Sequence, residues 1–106
     1  MTRVARILVV EDDDRLRELL ERQLTRLGHE VFAVPDVEAA PDRGRAMELA
    51  VVHLGVPGGG WERLGVPVVG ISGGPRPVPY PPGIVDLLRK PYTLAELGDV
   101  IGRHTR

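Results

Sequence analysis

Residues 5–10, ARILVV, make an apolar run interrupted only by Arg6, and LAVVHL (49–54) and VPVVGIS (66–72) repeat the pattern. Strands with one wet face alternate apolar and polar residues. Runs that do not alternate need cover on both faces, which is how the strands of a parallel sheet read. HEVFAV (29–34) and IVDLLR (84–89) supply two further short strands.

Between the first two strands, Leu16, Leu19, Leu20, Leu24 and Leu27 follow the i, i+3, i+4 spacing of one helical face, with Arg15, Arg17, Glu18, Glu21 and Arg22 pointing outward. Asp13 or Asp14 opens this helix and Gly28 closes it. Residues 35–49 have helical composition broken by Pro41 and Gly44, which predicts a weak, broken helix. Residues 55–65 predict a turn with at most a short helix. Residues 73–83 hold five of the ten prolines, so an extended path is expected there and a helix is excluded. Thr93 and Glu96 have capping-box spacing ahead of the apolar face Leu94, Leu97, Val100 and Ile101, so a last helix follows, weakened by Gly98 and Gly102. Strands alternating with helix-sized connections define an α/β fold with a parallel sheet and right-handed crossovers.

At 106 residues the chain is expected to be one domain, 1–106. With no cysteine it has neither a disulfide framework nor a thiolate metal site. The net charge is -1, with 14 basic and 15 acidic residues interspersed, which argues against a nucleic-acid or membrane partner. The N-terminal apolar run is too short for a signal h-region or a membrane span, so a cytoplasmic location is expected. The chain reads either as a stand-alone unit or as the front of a longer protein. Every basic residue except Lys90 is an arginine.

In doubly wound sheets ligands bind at the carboxyl ends of the strands. Four groups fall there: Glu11 with Asp12 after the first strand, His53 at the end of the third, Ser72 at the end of the fourth, and Lys90 after the fifth. Each also has a plain structural reading. The acids start a helix, Ser72 makes a turn, Lys90 is a solvated strand end, and His53 is a hydrogen-bonded core residue.

Together, ILVVEDD, VVHLGVPGGG, VPVVGIS and LLRKPY resemble the receiver domain of two-component response regulators, the CheY-like superfamily, over nearly the whole chain. The resemblance implies a flavodoxin-like, doubly wound five-stranded sheet in the order 2-1-3-4-5. The intervals at 55–65 and 73–83 imply a shortened third and a missing fourth helix. It also implies that Glu11 and Asp12 are the metal-holding acids, Ser72 the switch hydroxyl, and Lys90 the site lysine, with Pro91 its cis neighbour. Position 53 would be the aspartate that takes the phosphoryl group, and here it is histidine.

An acyl phosphate needs a carboxylate oxygen as nucleophile, and imidazole cannot form that species. Mg²⁺ prefers six oxygen ligands, whereas imidazole suits transition ions. The expectation is an atypical receiver in bacterial two-component signalling that acts as a phosphorylation-independent protein-interaction module. It would be no enzyme, would need no cofactor, and would bind Mg²⁺ through Glu11 and Asp12 weakly or not at all. Two alternatives stay open: a receiver phosphorylated on another acid such as Asp12 or Asp13, and a transition-metal site using His53, Glu11 and Asp12. His53 itself is either a neutral core residue or an imidazolium balanced by the two acids.

The expected partner is a histidine kinase or another signalling protein, with a homodimer as an alternative. The expected contact surface is built from residues 73–83, including Tyr80, from the last helix, and from Leu87 and Tyr92. Leu87 stands where many receivers carry an aromatic that changes rotamer on activation.

Overall fold

The computed structural model describes residues 4–40, 47–55, 60–74 and 82–105. Five parallel strands, β1 (Arg6–Val10), β2 (Glu30–Val34), β3 (Leu49–His53), β4 (Val68–Ser72) and β5 (Ile84–Arg89), form one sheet in the order β2-β1-β3-β4-β5. Two α-helices accompany it among the described residues, α1 (Asp14–Arg26) and α2 (Leu94–Arg103). No helix among the described residues is long and apolar enough to cross a membrane.

The non-alternating runs divide between two cores, as strands buried on both faces must. Ile7, Val9, Leu49, Val51, Val69 and Ile71 face Leu20 and Leu24 of α1 and Leu97, Val100 and Ile101 of α2. Leu8, Val10, Ala50, Val52 and Val68 face the opposite way, where Trp61 and Leu64 cover them. A register shift at β5 keeps both faces supplied. Val68 pairs with Ile84 and Val69 with Asp86, so Val85 is the extra residue of a bulge. Ile84 therefore joins one core and Leu88 the other, although they lie four residues apart.

Two expectations change and one is met. The weak helix at 35–49 is not α-helical where the structure describes it: Val37–Ala39 is one 3₁₀ turn capped by Asp36, and residues 41–46 lie outside the described residues. The turn with at most a short helix expected at 55–65 is a 3₁₀ turn where the structure describes it, Trp61–Leu64; residues 56–59 lie outside the described residues. Strand four starts at Val68 rather than residue 66, since Pro67 has no N–H to give and joins the ladder only through its carbonyl, which accepts from Ala50. Residues 73–74 and 82–83 are not helical, in line with the missing fourth helix; residues 75–81, with Tyr80, lie outside the described residues.

The helix ends follow their local chemistry. The Asp13 carboxylate accepts from the Arg15 and Leu16 amides at 2.9 and 3.1 Å. Gly28 takes φ +96°, a left-handed conformation that lets the chain leave α1 at no steric cost. Just beyond, the buried His29 accepts the Ala5 amide on Nδ1 at 3.0 Å, and burial pushes its ring toward the neutral form. Thr93 and Glu96 form the expected reciprocal capping box of α2.

At its far end α2 is tied to β5 through Asp86, whose Oδ2 meets Arg103 at 3.1 Å and His104 at 2.9 Å. Burial alone would raise the Asp86 carboxyl, but hydrogen bonds from His104, the Leu87 amide and Arg103 together hold it below the ordinary value of 3.8. A carboxyl lowered by folding contributes stability that is complete above the ordinary value and is lost as the pH falls from there through the lower folded value. Melting temperatures of the wild type and Asp86→Asn are therefore expected to differ at neutral pH and to converge only as the pH falls below 3.8 and on through the lower folded value, where the native Asp86 is also protonated.

Candidate functional site

β1 and β3 are neighbours at the point where strand order reverses, so the residues that end them meet at the switch point of the sheet. Glu11 directly follows β1. Its amide donates to the Val34 carbonyl at 3.0 Å, and its side chain is almost fully buried. Oε1 accepts the Asp13 amide at 3.0 Å, which leaves Oε2 turned toward β3. Burial pushes the Glu11 carboxyl up; the Asp13 amide and His53 offset part of this, and Asp12 adds to it.

His53 closes β3, one residue short of the expected strand end. Its Nδ1 lies 3.0 Å from Glu11 Oε2, with side-chain exposures of 23% and 2%. Nδ1 is itself buried and has no hydrogen-bond partner, so its in-plane direction does not follow the line to the carboxylate. Asp12 is exposed, and one donor atom from each of Glu11, Asp12 and His53 falls within a 4.8 Å cluster. Gly55 leaves room for the ring, because a Cβ there would stand 3.0 Å from His53 Cε1.

Ser72 ends β4, and its hydroxyl pairs with Gly74 in a local turn, accepting the Gly74 amide at 3.3 Å. Lys90 follows β5. Its amide donates to the Ser72 carbonyl at 2.9 Å, and the Lys90–Pro91 bond is cis, as the resemblance implies. The lysine side chain lines a cleft of about 410 Å³ together with Glu11, His53, Leu16, Ile71 and Tyr92. The structure thus brings donor atoms of Glu11, Asp12 and His53 within 4.8 Å of one another, sets Lys90 on the same cleft, and gives the Ser72 hydroxyl a turn to hold.

Two residues of the expected contact surface are largely or partly covered. Leu87 is 7% exposed and pairs with Gly70 of β4, past the bulge. Tyr92 is half-buried and donates its hydroxyl to Gln23 Oε1 at 3.0 Å, locking the start of α2 to α1. Sequence reading missed that link, and also the pairing of Asp86 with His104. Each joins residues far apart in the chain, and no local spacing announces them.

The Mg²⁺ that such a fold implies does not suit these donors. Mg²⁺ takes near-octahedral oxygen at about 2.0–2.1 Å, and the site offers a buried imidazole nitrogen where a third carboxylate would complete it.

A five-stranded parallel sheet in this order, with acids after β1 and a lysine and cis-proline after β5, has the CheY-like receiver fold of two-component response regulators. No protein-family model matches the chain. Over 55 residues it is 47% identical to the two-component response regulator PhoP of Pseudomonas aeruginosa, matching 50% of this chain and 24% of that protein. Over 54 residues it is 41% identical to the uncharacterized transcriptional regulatory protein YrkP of Bacillus subtilis, matching 50% of this chain and 23% of that protein. The chain thus spans about a quarter of the length of these curated relatives.

Among solved structures, a response regulator receiver domain protein from Clostridium thermocellum superposes with TM-score 0.77 at 17% identity, over 95% of this chain and 94% of that one. NtrX from Brucella abortus in complex with ADP superposes with TM-score 0.78 at 25% identity, over 96% of this chain and 27% of that one. The chemotaxis protein CheY4 of Vibrio cholerae gives 0.75 at 17% identity, over 96% of this chain and 99% of that one.

Proposed function

We propose that this receiver domain works in the cytoplasm as a protein-interaction module whose conformation is not set by an aspartyl phosphate. The observation that carries the reading is His53 at the end of β3, seated against Glu11 where the fold would otherwise present a carboxylate nucleophile. With imidazole there, no acyl phosphate forms on β3 and Mg²⁺ loses a ligand. The domain runs no catalytic cycle and needs no cofactor for its interaction. Tyr92, bound to Gln23, and the capped α2 favour one fixed arrangement of the surface beside β5. The partner on this reading is a signalling protein such as a histidine kinase.

Of the alternative phosphate acceptors, Asp13 is occupied as the cap of α1 and Asp12 is exposed. Backbone amide NMR spectra recorded with and without acetyl phosphate and Mg²⁺ test the reading. The spectra of β4, β5 and α2 are expected to be unchanged. A second set of peaks for those elements, appearing only when both reagents are present, would contradict it.

A further inference from the structure

We infer that Glu11, Asp12 and His53 bind a divalent transition ion, represented by Zn²⁺, at the place where the fold would otherwise hold Mg²⁺. The inference goes beyond the interaction-module reading and does not depend on it: a chain could bind Zn²⁺ whether or not it is phosphorylated, and the two are read by separate measurements.

The first support is the state of His53 Nδ1. A buried ring nitrogen normally has a hydrogen-bond partner, and this one has none although a carboxylate oxygen lies 3.0 Å away. The spacing is too short for indifference and the alignment is wrong for a hydrogen bond. Both features suit two donors sharing one ion. Ligands about 2.1 Å from an ion and about 90–109° apart stand about 3.0–3.4 Å from each other, and each lone pair points at the ion rather than at the other donor.

The second support is how firmly the donors are held. Glu11 is buried, and its Oε1 is anchored by the Asp13 amide, so Oε2 is the atom left for a ligand. A hydrogen bond to the second carboxylate oxygen is the kind of outer contact that orients a metal ligand. Asp12 is exposed, so its carboxylate can turn to complete a set already within 4.8 Å, with water filling the open positions. Mixed nitrogen and oxygen donors favour transition ions over Mg²⁺. Lys90 lines the same cleft and opposes a cation, which limits the affinity without altering the preference between divalent ions of equal charge.

The other two histidines are otherwise engaged. His29 Nδ1 accepts the Ala5 amide, and His104 pairs with Asp86 of β5. The Asp86–His104 pair is the control site.

Calorimetric titration of the metal-free chain with ZnCl₂ and with MgCl₂, with His53 ring resonances followed by NMR, decides the matter. One Zn²⁺ per chain is expected, preferred over Mg²⁺ by roughly 100-fold, with the His53 resonances shifting. His53→Gln is expected to weaken Zn²⁺ binding at least about tenfold with the circular dichroism spectrum unchanged, and His104→Gln to leave it intact. Comparison of the two metals on the wild type needs no variant to fold. No Zn²⁺ binding, equal preference for the two ions, or Zn²⁺ affinity that survives His53→Gln overturns the inference.

Discussion

His53→Asp is expected to turn this domain into one that accepts phosphate from acetyl phosphate in the presence of Mg²⁺, and this is the largest functional change that a single substitution should produce. The replacement puts a carboxylate at the end of β3, beside the buried Glu11 and within reach of Asp12. Three carboxylates give Mg²⁺ the oxygen donors it requires, and a carboxylate oxygen can attack phosphorus where an imidazole cannot form an acyl phosphate. Aspartate is the smaller side chain, so it fits the space that Gly55 leaves for the ring. Intact-mass measurement should show a phosphate on the variant that disappears when Mg²⁺ is chelated. A folded variant that stays unmodified would mean that residue 53 alone does not decide whether the domain takes phosphate.

Leu24→Ala should produce the largest loss of stability in α1. Leu24 is fully buried, in the core that it shares with Ile7, Val9, Leu97 and Ile101. Truncating a buried leucine removes its transfer energy and leaves a cavity, together about 2–5 kcal/mol. Against the roughly 5–15 kcal/mol that holds a domain of this size, that is a large fraction. The melting temperature should fall by more than about 10 °C. Leu19 lies on the same helix at 40% exposure, and Leu19→Ala should cost less than about 1 kcal/mol. Thermal denaturation of the two variants side by side checks the burial; equal losses would mean that α1 docks by a different face.

The sheet was legible because its signal is local and redundant. Each of ARILVV, LAVVHL and VPVVGIS must be covered on both faces, and the two cores divide their residues by simple alternation. Helix α1 and the capping box of α2 were equally open to reading, since the capping aspartate and threonine act on amides two or three residues away. The connections were harder. Residues 35–40 have helix-compatible composition, but Asp36 caps only a single 3₁₀ turn there. At β5 the bulge at Val85 reversed the facing of Leu87, a shift set by pairing with β4 that no alternation within β5 reveals.

The residues of the site could be located from sequence because they sit at the carboxyl ends of strands, which the apolar runs place to within about a residue. Their states could not. Ser72 spends its hydroxyl on Gly74, and His53 faces Glu11 without a hydrogen bond; both depend on side-chain directions that spacing does not encode. The histidine alone does not say whether the site is inert or altered. Its buried, partnerless Nδ1 beside an anchored carboxylate is what points to a change of ligand chemistry.

The most direct test of the account is the intact mass of the wild-type chain after incubation with acetyl phosphate and Mg²⁺, measured beside His53→Asp. The account predicts an unchanged wild-type mass and a phosphate on the variant. A phosphate on the wild-type chain, whether on Asp12, Asp13 or His53, would contradict it.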